Sequence, residues 1–158
     1  MTRLTHVRDA RADDIPAIEA IIRSAGLFTP EEADGFASTL PGHFDRPTEA
    51  GAQGPWLVTA EGSGAAHLAP EAGPGVWNLL FIGVRPEARC RGAARALIGE
   101  VERRLRAGGA RMLLIDTSTE PPMEAARQAY ARLGYERIAK IPDYWGPGDG
   151  KLTFRRML

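Results

Sequence analysis

The amino-acid sequence predicts a mixed α/β fold, and three observations carry that reading. Apolar residues recur three and four apart in several segments, one nearly unbroken apolar run has the length of a buried strand, and Gly/Pro stops separate such segments in alternating order. The 158 residues suit one domain, expected over 1–158. With 44% hydrophobic and 25% charged residues, the composition is that of a globular chain and excludes disorder along its whole length.

Asp13-Asp14 ahead of Ile15, Ile18, Ile21 and Ile22 predicts an amphipathic helix ending near Gly26. Thr29-Pro30-Glu31-Glu32 carries a polar cap, a proline for the first helical position and acids for the first turn, so a second helix is expected to run toward Pro41. The stretch 41–55 reads as a loop. Residues 56–60 and 65–69 flank Glu61-Gly62-Ser63-Gly64 and read as a hairpin. The run 76–84 is the strongest strand, apolar enough to be buried on both faces, and Gly83 near its end predicts a bulge or a close approach of backbone or ligand.

A long helix is expected over 93–106, with Ala94, Leu97, Ile98, Val101 and Leu105 on one face and Gly108-Gly109 as its stop. Residues 112–116 form the next strand and 124–133 a helix stopped by Gly134. A strand over 135–141, a turn-rich loop over 143–150 and a last strand over 152–157 complete the order β-α-α-β-β-β-α-β-α-β-β, with no internal repeat.

Charge narrows the function. Twenty basic residues balance twenty acidic ones, with a pI of 6.8, which argues against nucleic acid as a partner. The distribution is uneven: net −6 over 1–84, +5 over 85–111 and +1 over 112–158. A local arginine block in a neutral chain matches one small anionic ligand. No apolar run reaches the roughly 20 residues that span a bilayer, and Met1 to Ala10 carry Arg3, His6, Arg8 and Asp9 in place of a signal peptide, so a cytoplasmic protein without a membrane partner is expected. One cysteine, Cys90, and three histidines leave no disulfide and no zinc spacing, so no metal is expected.

The junction from Val84 to Arg95 is a buried strand, an arginine-bearing loop and the first turn of a helix. Free N–H groups at a helix start and the partial positive charge of its dipole suit an anion, and Gly92, Ala93 and Ala94 leave room for a phosphate beside the main chain. Arg89, Arg91 and Arg95 add full charges. No Gly-x-Gly-x-x-Gly follows a strand, and the stretch from Gly146 to Lys151 lacks the glycine spacing and the Ser/Thr of a P-loop.

These residues resemble the GNAT superfamily of acyl-CoA-dependent N-acyltransferases. Arg89-Cys90-Arg91-Gly92-Ala93-Ala94 fits its Arg/Gln-x-x-Gly-x-Gly/Ala signature, and Ala126, Tyr130, Gly134 and Tyr135 follow in the order of its second motif. The resemblance spans 76–158 well and 6–70 in element order. It implies a centrally antiparallel sheet flanked by helices and acetyl transfer from acetyl-CoA, as cosubstrate, to a primary amine of a small molecule or peptide, with a homodimer left open. It further implies that Ile82 and Val84, beside Gly83, pair with the pantetheine arm, that amides from Arg89 to Ala94, Cys90 included, hold the pyrophosphate with Arg91 and Arg95 near it, and that Tyr130 protonates the departing thiolate. Cys90 stands where the family often has glycine, and Met123 where many members have asparagine. Because the family transfers its acyl group directly, a nucleophilic Cys90 is not expected. Glu31, Glu32, His67, Asp116 and Asp143 stay open as the general base, and Trp56, Trp77, Tyr144 and Trp145 as aromatics of an acceptor pocket. The competing classes are an acyl-CoA sensor or partner module of the same fold and a phosphate-ligand protein unrelated to CoA.

Overall fold

The computed structural model describes residues 5–46 and 54–158. Strand β1 (Val7–Asp9) leads through a short turn into helix α1 (Ile15–Ser24), then α2 (Pro30–Ala37) and α3 (Leu40–Asp45). Strands β2 (Trp56–Thr59), β3 (Gly64–Pro70) and β4 (Val76–Val84) follow, then α4 (Ala93–Ala107), β5 (Met112–Ser118), α5 (Glu124–Arg132), β6 (Glu136–Gly146) and β7 (Asp149–Met157). The seven strands form one sheet in the order β1-β2-β3-β4-β5-β7-β6, antiparallel except between β4 and β5. No helix among the described residues is long and apolar enough to cross a membrane.

Both faces of the sheet are covered, which is why its central strands are apolar throughout. Ile18, Ile21 and Ile22 of α1 pack with Val58, Ala65 and Phe81 on one face, while Leu97, Ile98, Val101 and Leu105 of α4 pack with Leu57, Ala66, Leu68 and Leu79 on the other. The alternation of β2 and β3 assigns each side chain to its layer.

Strand β4 departs from that alternation, with the bulge at Leu80 and, of the two readings of Gly83, a close approach at the glycine. Its ladder with β3 pairs His67 with Phe81 and Leu68 with Leu79, so Leu80 is the extra residue of a bulge and is 54% exposed. The bulge sends Leu79 and Phe81, two positions apart, to opposite faces. Gly83 pairs regularly with Ala65, and a Cβ there would lie 2.7 Å from Phe81 Cζ and 2.9 Å from Ile21 Cγ2. Close packing of α1 against β4 requires that glycine.

Three other expectations change. Thr29 caps α2 as predicted, and Glu32 completes a capping box with it, but the helix ends at Ala37 and Pro41 lies in the first turn of α3. Proline is as good at a helix start as at a stop, so part of the expected 41–55 loop is helical, and 47–53 lie outside the described residues. The expected 143–150 loop is mostly strand. Strand β6 extends past Ile141 to Gly146 through a register shift, with Asp143 at φ +54° accepting a 2.7 Å hydrogen bond from the Gly148 N–H, and the chain turns within Pro147-Gly148. Turn-forming residues here make a bulge and a tight hairpin.

Candidate active site

Pairing between β4 and β5 covers only Val76, Trp77 and Asn78 against Met112, Leu113 and Leu114. Beyond it β5 continues along β7, while β4 from Leu79 to Val84 keeps β3 on one side and, among the described residues, has no strand on the other. The sheet therefore splits, and an edge of unpaired backbone groups lies inside the molecule, a template for an extended ligand. Two cavities open along the split, of about 610 and 670 Å³, and Ile82, Met123, Ala126 and Tyr130 border both.

The first cavity lies between the end of β4, the start of α4 and one face of α5. Gly92 caps α4 at φ +87°, and the side chain it lacks would meet nothing within 4 Å. The first bond of the helix runs from the Ala96 N–H to the Gly92 carbonyl at 2.9 Å, so the amides of Ala93, Ala94 and Arg95 have no carbonyl behind them. Cys90, at φ +59°, adopts a left-handed conformation that glycine takes most readily. Left-handed residues at 90 and 92 curl the chain into the kind of concavity that binds anions.

The arginines divide. Arg95 borders the cavity, Arg91 is exposed on the loop outside its lining, and Arg89 uses its guanidinium elsewhere. Its Nη2 donates to the carbonyls of Ser24 at 3.0 Å and Ala25 at 3.3 Å, and its Nε to that of Val84 at 3.3 Å. Arg89 lines the cavity too, but its guanidinium ties the C-terminal end of α1 to the end of β4. Sequence reasoning missed Arg132, which lines the cavity from α5 together with Ala125 and Ala129. The signal was a row of alanines at helical spacing ending in an arginine, small residues that leave space for a ligand.

The second cavity is built differently. Asp116 and Glu120 come from β5 and its end, Asp149 from the start of β7 and Glu32 from α2; Phe28, Phe36, Leu79 and Phe81 supply apolar wall, with Trp145 on the lining as well. No arginine, lysine or histidine lines it among the described residues. Asp116 accepts from Thr153 Oγ1 at 2.6 Å and Asn78 Nδ2 at 3.1 Å, with Lys151 Nζ at 3.7 Å. Asn78 is the last β4 residue paired with β5, so it sets this carboxylate at the point of the split.

Of the five candidate bases, only Glu32 and Asp116 reach this cavity. Glu31 is exposed on α2, Asp143 holds the hairpin turn, and His67 is buried with its ring stacked on Trp56, centroids 4.6 Å apart. Among the candidate aromatics Trp145 lines the cavity; Trp56 is core, Trp77 packs against the core, and Tyr144 lies under Lys151 Nζ, 4.3 Å from its ring centroid.

Tyr130 stands on the wall between the cavities. It is 8% exposed, flanked by Phe154 and Tyr135 with ring centroids at 5.6 and 6.3 Å, and its hydroxyl has no hydrogen-bond partner among the described residues. Burial pushes its phenol up to about 12, so it keeps its proton at any physiological pH. Tyr135 does other work: its hydroxyl donates to Glu102 Oε1 at 2.8 Å, and Glu102, buried on α4, also meets Arg106 and Arg156. That buried acid joins α4 to β7 and was not evident in the sequence.

The split in the α/β sheet thus has the free amides of a helix start on one side, an acidic pocket on the other and a neutral phenol between them. The sequence model of the acetyltransferase (GNAT) family matches residues 26–135, and the chain belongs to that family. It is a GNAT-type acetyltransferase. Among solved structures it is similar to a protein from Desulfovibrio desulfuricans assigned to the GNAT family, with 28% identity, 97% of this chain and 98% of that chain covered, and a TM-score of 0.88. A GCN5-related N-acetyltransferase from Kribbella flavida matches at 24% identity, covering 98% of each chain with a TM-score of 0.71. The PaiA N-acetyltransferase from Thermoplasma acidophilum, solved in complex with coenzyme A, matches at 15% identity, covering 94% of this chain and 96% of that one with a TM-score of 0.72. No curated protein sequence matches the chain.

Proposed function

We propose that the protein transfers an acetyl group from acetyl-CoA to a primary amine by direct attack, with both substrates held in one ternary complex. The observation that carries this reading is the position of Tyr130, buried, neutral and unpartnered on the wall shared by an arginine-bordered cavity and an acidic one. The first cavity fits acetyl-CoA: open space at Gly92, the free amides of α4 and Arg95 and Arg132 suit its phosphates, and the unpaired β4 edge at Ile82 and Val84 suits its amide-bearing arm. A β4 amide would then face the thioester carbonyl.

The amine reaches the carbonyl from the acidic cavity after losing a proton, with Asp116 and Glu32 as the acceptors within reach. The N–C bond forms and the C–S bond breaks. Tyr130 donates its O–H to the sulfur as negative charge develops there. A thiol ordinarily titrates near about 8.5, so a phenol near 12 acts best as a hydrogen-bond donor in the transition state, and water completes the proton transfer. The test is calorimetry with acetyl-CoA, followed by thiol release across a panel of amines. Binding of acetyl-CoA with amine-dependent release of CoA is expected; heat with NAD and none with acetyl-CoA would overturn the reading.

A further inference from the structure

Helix α5 carries the proposed proton donor yet contributes little packing of its own: of its nine residues only Tyr130 is buried. Its place therefore depends on ties at its two ends. Near the start, Arg127 Nη1 donates to the carbonyls of Ser118 and Glu120 at 2.7 and 2.9 Å, which fixes that end to the end of β5. Tyr130 stands in the last turn, where a different set of contacts closes the helix. The Gly134 N–H donates to the Ala131 carbonyl and the Tyr135 N–H to the Tyr130 carbonyl, both at 3.0 Å, with Gly134 at φ +89°. That is the Schellman pattern, and its usual side-chain contact falls here on the two tyrosines, whose ring centroids are 6.3 Å apart.

The capping residue is anchored in turn. Tyr135 is buried, and its hydroxyl donates to Glu102 Oε1 at 2.8 Å. Glu102 Oε2 faces Arg156 Nε at 3.5 Å, and Arg156 Nη1 donates to the Leu133 carbonyl just past α5. Two routes from the last turn of α5 thus converge on one buried carboxylate of α4, the helix whose start borders the cavity proposed for acetyl-CoA. We infer that Glu102, acting through Tyr135, is a positioning residue for acetyl transfer, setting the Tyr130 hydroxyl against a thioester held by α4 and β4. The inference rests on the proposed role of Tyr130 as proton donor. A hydrogen bond to the departing sulfur is steep in distance and angle, so a shift of about 1 Å in the last turn of α5 costs turnover while leaving the phosphate site at Gly92 untouched.

The test reads turnover at saturating acetyl-CoA as acetohydroxamate formed from acetyl-CoA and hydroxylamine, with acetyl-CoA affinity from calorimetry. Tyr135→Phe keeps the ring and the capping amide and removes only the hydroxyl. Its kcat should fall about tenfold while acetyl-CoA affinity stays within about threefold. Placed in Tyr130→Phe, the same change should lower kcat by less than about twofold further, because the group being positioned is already gone. Glu102→Ala loses both routes and should lose more turnover than Tyr135→Phe, which reads the effect alone where the alanine variant does not fold. Wild-type kcat in Tyr135→Phe, or the same loss repeated in full in the Tyr130→Phe background, would overturn the inference and leave Tyr130 as the donor. Wild-type turnover in Tyr130→Phe itself would remove that donor, and this inference with it.

Discussion

The two cavities share a wall at Ile82 and Tyr130, yet they acquire their charge in opposite ways. The cavity proposed for acetyl-CoA is bordered by the free amides that open α4. Its positive character comes from those amides, helped by Arg95 and Arg132, and no acidic residue lines it among the described residues. The acceptor side is made of side chains: carboxylates from α2, β5 and the start of β7 meet there only because the sheet splits. A backbone site of this kind depends on a short continuous stretch of chain and tolerates changes in side-chain identity, as Cys90 in a glycine-type conformation illustrates. A side-chain site depends on long-range packing.

The sharpest way to break the contrast is at Gly92. Gly92→Glu places a side chain and a negative charge in the open space at the start of α4, so affinity for CoA by calorimetry should fall more than about 100-fold, with a loss near 1 kcal/mol in stability from the left-handed backbone. Retained affinity would place the carrier elsewhere. Tyr130→Phe acts on the shared wall. Turnover at saturating acetyl-CoA should fall roughly 100-fold while acetyl-CoA affinity stays within a few-fold, because the ring still packs on Phe154 and only the proton donor is lost. Wild-type turnover in that variant would reject the role.

Glu102 tests whether the helix under the cofactor side is held by a buried acid. Glu102→Ala strands the Tyr135 hydroxyl and should cost about 1–3 kcal/mol in chemical denaturation, with CoA affinity changed little. The smallest effect concerns pH. Glu100 on α4 accepts from Arg103 and Arg104, which hold its carboxyl at about 2, below the ordinary 4.5. Its pKa is lower in the folded state, so its contribution is present above pH 4.5 and is lost as pH falls toward 2. Glu100→Gln should therefore be less stable than wild type near neutrality and converge with it in acid, followed by thermal melts across that range. An unchanged difference would mean the pair contributes nothing.

The amino-acid sequence by itself determined most elements and the glycine-opened start of α4, because those signals are local. Periodic isoleucines mark α1, the apolar run marks β4 and Arg89 to Ala94 mark the start of α4, each within a few residues of its own evidence. Local signals misled where one residue type has two uses: Pro41 opens a helix instead of closing one, and Pro142-Asp143 bends a strand that continues. Only the tertiary structure decided what the charges do. Arg89 resembles a phosphate ligand in sequence and becomes a tie between α1 and β4, since the last carbonyls of α1 lie within its reach. Glu32, Asp116, Glu120 and Asp149 are scattered over more than a hundred residues, and their common pocket exists because β5 leaves β4 after Leu114 to follow β7. No spacing along the chain encodes that divergence, because it is a matter of pairing between strands distant in sequence.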